Sequence, residues 1–137
     1  MPTVYPPKIS TFLIADAIRR EVHGKITIIG AFAGGQILLA PGSTFPAALP
    51  LAFFTAFTEG EGNFKARLRI FDPNNNRLGN EVEIGSVTKL PDQPMQLMVN
   101  FNVLPFPMSG TYKIEVSLDD RVYTEHISIS ISPKPFT

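Results

Sequence analysis

The sequence predicts an all-β fold: two antiparallel sheets, eight or nine strands in total, packed face to face as a β-sandwich, with a closed barrel as the second solution. Three observations carry this. Thirteen prolines and ten glycines are spread along the 137 residues. They punctuate the chain about every ten residues, the rhythm of short strands joined by turns. Most segments between them alternate apolar and polar residues with the period of a strand. The expected organisation is one domain with short proline-rich arms at about residues 1–9 and 132–137.

The first segment, TFLIADAIRREVHGKITIIGAF, fits two patterns. At helical spacing Ile14, Ile18 and Val22 line one face, so a helix over Ser10–Arg19 is an alternative. At strand spacing Phe12, Ile14, Ile18 and Val22 share a face, interrupted by Asp16 and Arg20. The residues after Val22 favour a hairpin. His23-Gly24 supplies turn residues, and Ile26, Ile28 and Phe32 alternate after it. Gln36–Leu39 is a short apolar run. PGSTFPAALP holds Pro41, Pro46 and Pro50 and reads as a loop. In LAFFTAFT, Leu51, Phe53 and Phe57 point one way and Phe54 the other, the mark of a strand covered on both faces.

The clearest hairpin joins NFKARLRIF to NEVEI through DPNNNR. Phe64, Ala66, Leu68 and Ile70 point inward, with Lys65, Arg67 and Arg69 outward. Val82 and Ile84 return inward, with Glu81 and Glu83 outward. Closure about Asn75 sets Arg69 opposite Glu81 and Arg67 opposite Glu83, pairs worth roughly 0.2–1 kcal/mol each. After the loop KLPDQP, Leu97, Val99, Phe101 and Val103 form a core face against Gln96, Asn100 and Asn102. PFPMSG turns the chain. Tyr112, Ile114, Val116 and Leu118 then point inward, with Lys113, Glu115 and Ser117 outward. Asp119-Asp120 makes a turn, and Ile127, Ile129 and Ile131 close the core, leaving His126, Ser128 and Ser130 outside.

Composition narrows the function. Twelve basic and twelve acidic residues cancel, so no global field draws nucleic acid or an anionic membrane. Cysteine is absent, which excludes a disulfide scaffold, thiol catalysis and a cysteine zinc site. The N-terminal residues lack the basic and apolar regions of a secretory signal, and no apolar run reaches bilayer length. The expected compartment is the cytoplasm, although a chain whose signal had been removed would read the same.

Each chemical feature has a plainer explanation. Asp16 reads as a catalytic or metal-binding carboxylate, or as an acid near a sheet edge; the second is favoured because no acid or histidine neighbours it. Lys65, Arg67 and Arg69 make a basic stripe, but their predicted partners are acids. Asp72, Asn74, Asn76 and Glu83 fall at liganding positions of a calcium-loop pattern, yet Arg77 stands where that loop needs glycine. Pro-Asn-Asn-Asn is ordinary turn chemistry. His23 and His126 are the only histidines, too few for a metal site without clustered carboxylates. A triad built on His126 is a matter of spatial arrangement, but the chain has no Gly-x-Ser-x-Gly elbow and no phosphate loop. The arms VYPPK and SPKPF could dock on a neighbour or be read as polyproline segments.

ADA at Ala15–Ala17, Gly24-Lys25, IGAF at Ile29–Phe32, Phe45-Pro46 before an apolar strand, and the step Gly110-x-Tyr112 resemble a family of small uncharacterised bacterial proteins, a domain of unknown function. The resemblance spans most of the chain. It implies a bacterial or phage source and an immunoglobulin-like or related Greek-key sandwich, and no activity. The chain departs from it at His23, where such proteins tend to carry an acid.

The leading expectation is therefore a non-catalytic module that binds an unidentified protein or itself, with no cofactor, through sheet edges and the apolar residues Phe71, Met98 and Leu104. A ligand-binding module is the alternative. It would take calcium, carbohydrate or a calcium-dependent lipid at a loop end holding Asp72, Asn74, Asn76, and Asp119 or Asp120. A hydrolase using His126 is third.

Overall fold

The computed structural model describes residues 6–133. Nine strands run in order: β1 (Lys8–Arg20), β2 (Ile26–Ala31), β3 (Gln36–Leu39), β4 (Ala47–Thr58), β5 (Gly62–Phe71), β6 (Val82–Lys89), β7 (Met95–Phe106), β8 (Gly110–Leu118) and β9 (Arg121–Ile131). They make two sheets, β2-β1-β4-β7 and β3-β9-β8-β5-β6, one of them curled into a half-barrel. Every ladder is antiparallel except β3 on β9, which is parallel and corrects the expectation of purely antiparallel sheets.

The inner faces share one core. Ile14, Leu51, Phe53 and Phe57 from the first sheet meet Leu68, Tyr112, Ile114 and Ile127 from the second. Edge-to-face ring pairs span the gap, Phe57–Tyr123 and Phe106–Tyr112, both with centroids 5.2 Å apart. Such pairs add roughly 0.5–1.5 kcal/mol beyond the area they bury. The Tyr112 hydroxyl donates to the Met108 carbonyl at 2.6 Å and accepts from the Met108 amide at 3.2 Å. Its polar end is thus satisfied inside the core.

Ser10–Arg19 is strand throughout, so the helical alternative falls. The opening hairpin turns at His23 (φ 61°) and Gly24 (φ 73°), two successive left-handed residues, as a tight turn between right-twisted strands requires. Here histidine tolerates a backbone that a β-branched residue would resist. Val22 stands 74% exposed outside the ladder.

Several side chains lie on the face opposite to the expected one, each where the alternation is broken. Ile14 lies in the main core while Ile18, Ile26 and Ile28 join a second cluster on the other face. The switch falls where β1 leaves β4 after Ala15↔Ala52 and where Gly30 adopts φ +66°. On β7 the register runs from Phe101↔Leu51 to Leu104↔Leu49, three residues against two on β4. The extra residue is a β-bulge and reverses the side-chain alternation beyond it. Val103, expected inside, is therefore 63% exposed, and Leu104, expected on the surface, is 6% exposed.

The bulge lies opposite Pro50, which belongs to β4 and not to a loop. Proline has no N–H for a ladder, and β1 no longer flanks β4 there. At the other end Lys8 and Ile9, assigned to an arm, pair with Thr58 and Phe57. The Pro7 carbonyl accepts the Tyr123 hydroxyl. Residues 1–5 and 134–137 of the arms, including Val4, Tyr5 and Lys134–Phe136, lie outside the described residues.

Candidate functional site

The two outer faces differ in chemistry. On the second sheet the predicted charge pairs form: Arg67 Nε lies 3.3 Å from Glu83 and Arg69 Nε 3.4 Å from Glu81. Glu115 adds a carboxylate 3.7 Å from Arg69 and 3.6 Å from Lys113 Nζ. Neither Nε makes an aligned hydrogen bond, so these are ion pairs between partly screened groups and stabilise modestly. Phe71, proposed as an interaction residue, is half-buried with Lys113 Nζ 4.6 Å over its ring.

The first sheet's outer face is apolar. Ladder partners set Leu13, Phe54 and Met98 in one row across β1, β4 and β7, with Ala15 and Ala52 in the next. Ile18 pairs with Ile28 beyond them. Phe54 is 6% exposed although no further layer of secondary structure covers it among the described residues. Neighbouring side chains enclose it, and Leu13, Ile26, Ile28 and Met98 form the partly exposed rim. Met98 is thus the rim of an apolar cluster and not an isolated exposed residue. Where β1 diverges from β4, Asn100 Oδ1 on β7 accepts the Ile18 amide at 3.0 Å. Ala52, opposite Asn100, is small enough to let the side chain reach across.

The predicted ligand residues serve the backbone. Asp72 Oδ1 accepts the amides of Asn74 and Asn76, both at 2.9 Å, closing the turn. Asn75 takes the left-handed position (φ 65°), and its Oδ1 accepts from Lys113. Glu83 is held by Arg67. Asp119 Oδ1 accepts the Lys65 amide at 2.8 Å, and exposed Asp120 comes next in the turn. No group of three or more potential metal ligands occurs among the described residues.

His23 and His126 are both exposed. His126 sits across from Lys113 on β8. With Glu125 it borders a cleft of about 240 Å³ floored by Phe12, Ile14 and Phe32 and rimmed by Gly34-Gly35. Asp16 is exposed, and its carboxylate lies over Gly30, where a Cβ would come 2.3 Å from Oδ2. Gly30 is therefore required for close approach as well as for its positive φ.

Lys89 falls in the segment KLPDQP that the sequence assigns to a loop. It ends β6 and is 2% exposed. Its Nζ donates to the Gly60 carbonyl at 3.2 Å and to the Leu90 carbonyl. The ammonium ties the β4–β5 crossover to the β6–β7 loop, a long-range arrangement with no local signal.

Burial raises the pKa of the Tyr112 hydroxyl despite its bond to Met108, and burial also raises that of Tyr123.

Among the described residues no helix is long and apolar enough to cross a membrane. Among solved structures the chain is similar to a β-glucosidase from Listeria innocua. In complex with glucose that structure is 7% identical, with a TM-score of 0.41 over 69% of this chain and 14% of the other. In complex with isofagomine it is 6% identical, with a TM-score of 0.40 over 90% and 16%. The chain thus spans a small part of those proteins. No curated protein matches it. A family model matches residues 10–131, nearly the whole described fold, and the chain belongs to that family, the family of unknown function DUF6941.

Proposed function

We propose that the chain is a non-catalytic β-sandwich module, immunoglobulin-like or of a related Greek-key type, that acts by binding protein through the outer face of its first sheet. One observation carries the binding reading. The row Leu13–Phe54–Met98 and its neighbours put apolar side chains on a sheet face that no other layer covers among the described residues. Large contiguous apolar patches on a folded domain mark interaction sites, and the partly exposed rim of Leu13, Ile26, Ile28 and Met98 is what a partner would meet here. The opposite outer face, laced with ion pairs, gives the contrast within the same molecule.

Two features support the fold type. Tyr112, third residue of β8 and just after the β7–β8 corner, bonds back to Met108, as the tyrosine corner of immunoglobulin-like domains does. The order β9-β8-β5-β6 matches the path of the variable-type sheet, in which an added strand extends the three-stranded face.

The test is affinity capture from the source cell with three forms of the protein. A specific partner is expected on the wild type and on Lys65→Glu, whose change lies on the second sheet, and is expected to be lost from Met98→Lys with its melting temperature little changed. Equal capture by Met98→Lys would remove this face from the function. No capture, together with a strictly monomeric protein, would end the binding reading.

A further inference from the structure

The first sheet ends in two open edges, β2 and β7, and the second in β3 and β6. Three of the four are blunted. Strand β7 carries the bulge at Asn102-Val103 and Pro105. Strand β6 carries the extra residue Ile84 between Glu83 and Gly85. Strand β3 has only four residues. Bulges, proline, charge and shortness are the usual protections of an edge against pairing with another chain.

Strand β2 differs. Ile26-Thr27-Ile28-Ile29 is regular, bears no charge, and keeps its ladder to Arg20–Ala17 without a shift. Ile29 is 42% exposed. Ile26 and Ile28 belong to the rim of the outer apolar cluster, so a strand added here would extend that face.

The charges flanking β2 identify the occupant. Lys25 precedes it, and its side chain has no acidic partner among the described residues. Asp16, over Gly30 at the far end, has no basic partner among them either. The edge is thus positive at one end, negative at the other and neutral between. It is complementary to itself when turned antiparallel.

We propose that the β2 edge pairs with the β2 edge of a second copy about a two-fold axis at Ile28. Thr27 of each copy faces Ile29 of the other. Lys25 of each copy comes opposite Ala31 of the other, beside the Asp16 carboxylate that overlies Gly30. The two four-stranded sheets become one, and the two apolar clusters form a continuous face. This inference goes beyond the reading of that face as a binding surface: the contact lies at the sheet edge and enlarges the face without covering it.

The test is sedimentation velocity at about 100 µM protein, where a contact of even ~10 µM affinity is mostly dimeric. The wild type is expected at twice the chain mass. Asp16→Lys and Lys25→Glu, both at exposed positions, are each expected to weaken the dimer roughly tenfold through like-charge contacts. The double variant Asp16→Lys/Lys25→Glu is expected to regain most of the wild-type affinity. A wild-type monomer overturns the inference. So does a double variant no tighter than either single one, which would assign any observed dimer to another surface. If the wild type is monomeric while a captured protein still depends on Met98, the binding reading stands and the edge contact alone is wrong.

Discussion

The two outer faces of this protein lie over the same core and obey opposite rules. Strands β5 and β8 mostly alternate: Leu68 and Ile70 are buried, Arg67 and Arg69 partly exposed; Ile114 and Val116 are buried and Glu115 partly exposed, with Ser117, 3% exposed across from Arg67, the exception. Strand β4 is buried without interruption from Leu51 to Phe57. An antiparallel sheet with one solvated face gives the first pattern, and a sheet with both faces packed gives the second. The second pattern occurs here without a third layer among the described residues. Side chains from β1, β2 and β7 do the covering, and they stay partly exposed themselves.

The largest test of the contrast compares two phenylalanines. Phe54→Ala on the first face is expected to cost about 3 kcal/mol in chemical denaturation, as for a packed core ring. Phe71→Ala on the second, half-buried beneath Lys113, is expected to cost under about 1.5 kcal/mol. Equal losses would mean that both faces are packed alike.

Tyr112 belongs to neither outer face and calibrates the scale. Tyr112→Phe is expected to cost about 1–2 kcal/mol by leaving the Met108 amide and carbonyl without their partner. The folded protein holds this hydroxyl and that of Tyr123 at raised pKa. Their neutral forms are therefore favoured in the native state. That contribution is fully present below the unfolded value near ~10 and is lost as pH rises through the folded values. Stability is expected to fall in alkali above about pH 10, and less steeply in Tyr112→Phe.

A smaller effect sharpens the description of the first face. Asn100→Ala removes the acceptor of the Ile18 amide and is expected to cost about 1 kcal/mol. Faster amide hydrogen exchange at Ile18, with β5 and β8 unchanged, would show that the loss is local. The smallest effect belongs to the second face. Glu115→Gln is expected to cost under about 1 kcal/mol, and added salt to reduce even that difference, because its ion pairs are partly exposed.

The regular parts of the fold were legible in the residues themselves. Alternation and turn chemistry gave the β5–β6 hairpin with both charge pairs, the His23-Gly24 turn and the Asp119-Asp120 turn. The unbroken run through Phe54 announced a strand covered twice. Positions beyond an irregularity were not legible. Val103, Leu104 and Ile18 changed faces because a single extra or left-handed residue shifts every side chain after it, and nothing in the local pattern marks that residue. Pro50 was the available signal, since a proline inside a strand favours a bulge or an unpaired edge. Asn100 and Lys89 answer to backbone groups far away in the chain, which no window of sequence contains. The calcium-like spacing of Asp72, Asn74 and Asn76 came from the needs of a turn, where a carboxylate gathers backbone amides in place of a cation.

The parallel pairing of β3 with β9 bears on the order in which a growing chain can fold. Residues 36–39 leave the ribosome well before their partners, 128–131. The first sheet has all its strands once Phe106 is out, whereas the second still lacks β8 and β9, and the QILL segment waits with its backbone unsatisfied. The Ser132 amide then bonds to the Leu39 carbonyl at 2.9 Å. A message broken before the codon for Arg121 would therefore release a chain with one finished sheet beside two unpaired edges, on β3 and β8, the form that quality-control proteases and chaperones bind.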